Sequence, residues 1–186
     1  MNHIKNKKDL ETIINEIRNF AHAYLEKYSP SKQQLRIYLF KKFLKKSQKI
    51  SNKKELFNLI DVVISTLTDQ KLISDKYYSD TKTKDLLRKG YSLNKIRYKL
   101  ITKGIDEKYI KASISKIKEN ESDPDFFSAI KICKRRRIGP SREESNRSLF
   151  YKKDISILAR SGFSYEISKK VLEISKEEFK KFCKMI

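Results

Sequence analysis

Residues 86–106 read Leu86-Leu87-Arg88-Lys89-Gly90-Tyr91-Ser92-Leu93-Asn94-Lys95-Ile96-Arg97-Tyr98-Lys99-Leu100-Ile101-Thr102-Lys103-Gly104-Ile105-Asp106. Two glycines bracket a short run whose apolar residues, Leu93, Ile96, Leu100 and Ile101, fall at helical spacing. Each glycine opens the same three-residue punctuation: Gly90-Tyr91-Ser92, then Gly104-Ile105-Asp106. Glycine supplies the left-handed residue that ends one helix, and the apolar residue packs back on it. The Ser or Asp then accepts from the free N–H groups of the next helix. The device recurs at Gly162-Phe163-Ser164, so it uses three of the chain's 4 glycines. So few glycines, with only 3 prolines, argue against a β protein built on many tight turns.

The same signals extend outward. Leu10, Ile13, Ile14, Ile17, Phe20, Ala21, Tyr24, Leu25 and Tyr28 trace one face of an amphipathic helix. Ser29-Pro30-Ser31 stops it, because Pro30 restricts Ser29 and Ser31 is placed to cap a helix running to Lys46. A polar break at Ser47–Asn52 leads to a third helix carrying Leu56, Leu59, Ile60, Val63, Ile64 and Leu67. The pattern restarts at Lys71-Leu72-Ile73-Ser74-Asp75, with a weakly periodic helix over Asp75–Lys89. Beyond residue 106 a helix holds Tyr109, Ile110, Ile114 and Ile117. Further helices are predicted over Phe126–Arg137, Lys153–Ser161, Ser164–Leu172 and Glu177–Ile186, with a loop at Ile138–Arg147.

Ser31, Leu35, Arg36 and Leu39 echo Ser92, Ile96, Arg97 and Leu100 in the middle helix of each triplet. The expected fold is all-α, with about three tandem three-helix repeats stacked into an elongated, curved chain. Their expected bounds are 10–71, 72–120 and 122–174, followed by a short C-terminal helix over 175–186.

The chain's 186 residues carry 44 Lys and Arg against 23 Asp and Glu, a formal charge of +21. That much self-repulsion opposes folding and points to a polyanionic partner, although lysine-rich usage also fits an AT-rich coding sequence. The charge is segregated. No carboxylate lies between Glu26 and Glu55, where Lys27, Lys32, Arg36, Lys41, Lys42, Lys45, Lys46, Lys49, Lys53 and Lys54 fall. None lies between Asp85 and Asp106, around Arg88, Lys89, Lys95, Arg97, Lys99 and Lys103, or between Asp125 and Glu143, around Lys131, Lys134, Arg135, Arg136, Arg137 and Arg142. Lys95, Lys99 and Lys103 are spaced as one helical stripe. Mixed-sign faces are the usual route to solubility, so sign-segregated blocks suggest a phosphate backbone or an acidic protein groove, contacted without sequence specificity.

Sequence features of enzymes are sparse. Neither a phosphate-cradling Gly-x-x-x-x-Gly-Lys nor a Gly-x-Gly-x-x-Gly occurs, so no cofactor is expected. His3 and His22 are the only histidines, and each reads as a surface residue. Cys133 and Cys183 have no close Cys or His companions, so neither zinc nor a disulfide framework is expected. They read as small hydrophobes, with an activated thiol at Cys133, beside Lys134, as the weaker alternative. Packing is expected of Tyr91 and Tyr98, with stacking on bases as the alternative. There is no run of about 18 apolar residues to span a bilayer and no apolar leader after Met1, so a cytoplasmic protein is expected. The absence of a coiled-coil seam suggests a monomer.

The run Leu72-Ile-Ser-Asp-Lys-Tyr-Tyr-Ser-Asp, then Leu86-Leu-Arg-Lys-Gly-Tyr-Ser92, then Ile96-Arg97, Leu100 and Lys103-Gly104-Ile105 resembles the middle repeat of the RecX family. Ala129-Ile-Lys-Ile-Cys-Lys-Arg-Arg-Arg-Ile-Gly-Pro with Leu158-Ala-Arg-Ser-Gly-Phe-Ser-Tyr looks like the third repeat of one branch of that family. The likeness runs from about Phe20 to Leu172, with departures at Ser74, Lys82, Leu86 and Lys99. It implies a non-enzymatic, cytoplasmic modulator of the RecA recombinase, often an inhibitor, lying in the groove of the RecA–DNA filament. That would place the protein in homologous recombination, DNA repair and the SOS response. Residues carried over by the resemblance are Arg88, Lys89, Arg97, Lys103, Arg135, Arg136 and Arg137. The basic blocks add Arg36, Lys41, Lys42, Lys95, Lys99 and Arg142 as candidates for contact with RecA or with single- or double-stranded DNA. The competing expectations are a nucleic-acid binder acting without RecA and, behind it, a helix-turn-helix repressor.

Overall fold

Three amphipathic stripes meet in the first part of the chain. The protein's structure is a computed structural model that describes residues 7–46 and 53–186. In it α1 (Lys7–Leu25), α2 (Lys32–Lys46) and α3 (Lys53–Asp69) pack pairwise around Ile17, Leu35, Leu39, Phe43, Leu56, Ile60, Val63 and Leu67. These side chains recur every three or four residues, so each helix contributes one continuous stripe. Aromatic pairs weld the helices at their edges. Phe40 stacks on Phe57 at 4.1 Å, Tyr24 on Tyr38 at 4.0 Å, and Phe20 meets Phe43 edge-on at 6.1 Å. The expected break at Ser47–Asn52 lies outside the described residues, as do Met1–Asn6 and the side chains of Lys45, Lys46 and Lys49. Tyr28, read as part of α1's apolar face, is 58% exposed because the helix has already ended at Leu25.

The chain continues through α4 (Asp75–Arg88), α5 (Leu93–Ile101), α6 (Glu107–Asn120), α7 (Pro124–Arg136), a single 3-10 turn (Gly139–Ser141), α8 (Glu144–Arg160), α9 (Tyr165–Leu172) and α10 (Lys176–Lys184). The protein is all-α, with no strand among the described residues. It divides into two compact units. The first runs to Tyr78 and includes the turn Lys103–Asp106; the second comprises Ser79–Thr102 and Glu107–Ile186. In the second, α7, α8, α9 and α10 enclose Phe126, Ile130, Ile132, Cys133, Leu158, Phe163, Val171, Leu172 and Phe179.

The glycine punctuation is physically a left-handed turn that turns the chain back onto its helix. Gly90 (φ 78°) and Gly162 (φ 95°) let the Tyr91 and Phe163 amides reach the Leu86 and Leu158 carbonyls. Two further helix ends use the same turn without glycine. Lys71 (φ 58°) and Arg137 (φ 54°) adopt the left-handed conformation, and the following Leu72 and Ile138 amides bond back to Leu67 and Cys133.

Two capping serines, Ser31 and Ser92, do more than cap. In the first unit, Ser31 Oγ accepts from the Gln34 amide at 3.1 Å and donates to the Lys103 carbonyl at 2.6 Å. Beside it, the Lys32 amide donates to Asp75 Oδ1 at 2.9 Å. In the second unit, Ser92 Oγ accepts from the Lys95 amide at 3.1 Å and donates to the Gly162 carbonyl at 2.7 Å. There the Leu93 amide donates to Asp125 Oδ1 at 2.7 Å. Both serines are fully buried. The same clasp is thus built twice: a capping serine holds a distant glycine-containing turn, and an aspartate from the first turn of another helix takes the next free amide. Burial pushes the Asp125 carboxyl up, and the Leu93 N–H bond opposes that shift.

The expected loop Ile138–Arg147 is shorter than the sequence suggested, because α8 starts at Glu144 rather than near Lys153. Its first two turns lack a buried stripe: Leu149 is 75% exposed, and of the apolar and aromatic residues there only Phe150 and Tyr151 are half-buried. They are held by polar contacts instead. Arg147 donates to the Leu172 and Ile174 carbonyls at 2.8 and 2.6 Å and pairs with Glu144 at 3.1 Å.

Candidate functional site

The candidate cations fall into two groups, those that hold the fold and those that face solvent. Arg36 on α2 makes a two-pronged bond to Asp61 on α3, at 2.6 and 2.7 Å, and its guanidinium lies 4.5 Å over the Phe57 ring. Arg97 on α5 donates to Glu107 at the start of α6 at 2.8 Å. Hydrogen bonding to Asp61 and to Glu107 raises both arginines above their ordinary value. The echoed arginine of the two triplets therefore has one local task, an ion pair to the next helix. Arg142 is committed further. It makes a two-pronged bond to buried Asp154 at 2.8 and 2.9 Å, lies 4.5 Å over Phe150, and is raised by that hydrogen bond. Asp154 also accepts from the Gly139 amide at 2.8 Å, so this arginine anchors the 3-10 turn.

The solvent-facing group is different. Lys41, Lys42, Arg88, Lys89, Arg135, Arg136 and Arg137 are exposed. Lys42 Nζ lies 5.6 Å over Phe20, and Arg88 is 80% exposed while touching Asp85 at 3.0 Å. In the second unit the structure joins two helix ends that are far apart in sequence. Arg135 at the end of α7 donates to the Lys89 carbonyl at the end of α4, at 2.8 Å. This approach depends on Gly90, where an added Cβ would come within 3.0 Å of the Ser128 carbonyl. Arg88, Lys89 and Arg135 are thereby brought to one place, and Arg136 and Arg137 continue from it. Each helix end also presents carbonyls whose partial negative charge favours the cations gathered there.

The α5 stripe comes out only in part. Lys95 and Lys99 are half-buried, 5.6 Å over Tyr98 and 4.8 Å over Tyr91 respectively. Lys103 lies past the helix, in the turn whose carbonyl Ser31 binds. Tyr98, expected to pack, is 61% exposed beside Lys95 and Arg97, because its position on α5 is opposite Ile96 and Leu100. Sequence reading passed over Lys84 on α4 and Lys116 on α6, which line the same space between the two helices. Lys84 and Arg88 are four apart on α4, a signal hidden by that helix's weak apolar periodicity.

The thiols are poorly suited to nucleophilic chemistry. Cys133 is buried in the second core and pushed up to about 12 by burial, with the Asp154 charge adding to it. Cys183 is raised as well, by burial. Among the described residues no group of three or more His, Cys, Asp or Glu is placed to hold a metal ion, and no helix is long and apolar enough to cross a membrane.

No family model matches the chain. It is 29% identical to the regulatory protein RecX of Myxococcus xanthus over 161 residues, covering 84% of each chain. It is 26% identical to that of Agrobacterium fabrum, covering 87% of this chain and 84% of the relative. Crystal structures of RecX share the fold. One, from Lactobacillus salivarius, superposes with a TM-score of 0.58 at 17% identity over 90% of this chain and 96% of that one. A second RecX structure gives a TM-score of 0.58 at 19% identity over 92% of this chain and 80% of the other. In sequence and in fold the chain is similar to RecX regulatory proteins. In this chain the capping serines and paired arginines belong to the frame, and the cations at the ends of α4 and α7 belong to the surface.

Proposed function

We propose that this protein regulates a RecA recombinase by lying against the RecA filament on DNA and hindering its growth, with no chemical step of its own. The observation that carries the reading is the junction of α4 and α7. There Arg88, Lys89, Arg135, Arg136 and Arg137 form an exposed cationic surface fixed by the Arg135–Lys89 bond. Such a surface suits an acidic protein groove with phosphates nearby, and its charge calls for little base specificity. Lys41, Lys42, Lys95, Lys99 and Lys103 supply weaker, delocalised attraction. Arg36, Arg97 and Arg142 are occupied within the chain. The two serine clasps, built alike from successive triplets, support a repeat organisation, which we propose with bounds at 10–71, 72–120 and 122–174 and a closing helix over 175–186. The protein would act as a monomer in the cytoplasm, in recombination and DNA repair.

The test is RecA ATP hydrolysis on single-stranded DNA at fixed salt, titrated with this protein or with an Arg135→Ala, Arg136→Ala, Arg137→Ala variant. A fall in turnover that the variant lessens is the expected result. Unchanged turnover at stoichiometric ratios would overturn the RecA reading. Exposed Tyr98, flanked by Lys95 and Arg97, favours the second reading, a nucleic-acid binder acting alone. That reading requires binding to naked DNA whose log–log salt slope falls by up to about 3 in the triple variant, roughly one for each phosphate that no longer meets an arginine.

A further inference from the structure

A cavity of about 340 Å3 lies between α4 and α6 in the second unit, and it shares Arg88 with the exposed cations at the end of α4. Leu87 and Ile117 line its buried part together with Thr83, whose buried hydroxyl has no hydrogen-bond partner. One wall is already satisfied. Lys116 Nζ donates to Asp80 Oδ2 at 2.8 Å, and Ser113 Oγ donates to Asp80 Oδ1 at 2.7 Å. With Asp80 neutralised, the remaining charged lining is Lys84, Arg88 and Lys131 against Glu121, so the cavity is net positive.

We propose that this cavity receives an apolar side chain flanked by carboxylates, presented by a segment of the protein partner. The proposal rests on the reading of this chain as a binder of a protein filament. The volume lies at the lower end of the roughly 300–1,000 Å3 typical of ligand pockets, which suits a side chain rather than a whole folded element. A phosphodiester accounts poorly for the lining: it would satisfy the lysines but leave a dehydrated charge against Leu87 and Ile117. An apolar anchor covers those two residues, and its neighbouring carboxylates meet Lys84 and Lys131. Thr83 offers a donor to whichever acceptor comes deepest.

The experiment is an amide NMR titration of the full chain with three probes: a short Asp/Glu peptide bearing one leucine, the same peptide with serine in its place, and oligo-dT. The leucine peptide should shift the amides of Thr83, Leu87 and Ile117. The serine version should bind at least about tenfold more weakly, the cost of losing one buried leucine. A Lys84→Glu, Lys131→Glu variant should weaken the leucine peptide by about fivefold or more, because two attractive charges become repulsive. Equal binding of both peptides, no shift at these amides, or a shift produced by oligo-dT alone would overturn the proposal. Parallel RecA assays separate the two readings. If the wild type slows RecA and the double variant does so equally well, the cavity proposal fails and the RecA reading stands. If the wild type leaves RecA unaffected, the RecA reading fails while the peptide titration still decides the cavity.

Discussion

Replacing Ser92 by alanine separates the clasp from ordinary helix capping. Its hydroxyl accepts from the Lys95 amide and donates to the Gly162 carbonyl. Loss of the capping acceptor costs about 1 kcal/mol. Loss of the donor leaves a partly buried carbonyl without that partner and costs about 1–2 kcal/mol more. The sum, about 2–3 kcal/mol, corresponds to a fall in Tm of roughly 5–10 °C for a chain of this size. Ser164 is the internal control. It caps α9 by accepting from Ile167 at 3.2 Å, but it is exposed and its hydroxyl donates to no protein group among the described residues. Ser164→Ala should therefore cost only the capping part, about 1 kcal/mol. Because the chain has two units, native-state hydrogen exchange at the Lys95 amide is the sharper assay, and it should show opening that Ser164→Ala does not produce there. Equal losses in the two variants would refute the clasp and leave Ser92 an ordinary cap.

Three further outcomes are expected. Asp154→Asn removes the charge that holds Arg142 and Gly139 and should cost about 2 kcal/mol by thermal or urea unfolding, less than for a fully buried pair because Arg142 keeps 21% exposure. Glu178 is lowered by its bond to the Ser175 amide, so its contribution is present above the ordinary glutamate range and lost as pH falls through its folded value. The protection of the Phe179 amide in α10, its exchange rate relative to a free peptide at the same pH, should fall on acidification below pH ~4, and a Glu178→Gln chain should lose that dependence. Cys133 should resist iodoacetamide at pH ~8 in the native chain and react once denaturant is added, as mass spectrometry of the labelled peptide would show.

The helices were legible where an apolar stripe recurs, as in α1 and α3, and where stripe and cap coincide, as in α5 and α9. They were less legible where polar contacts replace the stripe. The first two turns of α8 depend on Arg147 reaching carbonyls at Leu172 and Ile174, a contact with no local sequence signature. The turns at Lys71 and Arg137 escaped notice because a left-handed residue is inferred from glycine, and here the surrounding packing holds a lysine and an arginine in that conformation. The serine echo was visible in the sequence, yet its partners were not. Asp75 and Asp125 lie 43 and 32 residues from the amides they bind, so only the folded chain pairs them.

The same distinction limits what charge segregation can say about function. A carboxylate-free stretch of sequence is not a carboxylate-free surface. Arg36 finds Asp61, Arg97 finds Glu107 and Arg142 finds Asp154, each acid lying outside the basic block that its partner occupies. Arginine is well suited to this role, because its planar fork meets both carboxylate oxygens at once, as at Asp61 and Asp154. The first two of these pairs are exposed and add little to the stability of the fold, but they do reduce the charge that a partner meets. Among the described residues, Lys89, Arg136 and Arg137 at the ends of α4 and α7 are exposed and paired with no acid, so the fold supplies their position but not a counter-charge. On the proposed reading, a RecA filament on DNA is recognised at these ends by charge density and shape, and the segregated blocks matter only where folding leaves them unpaired.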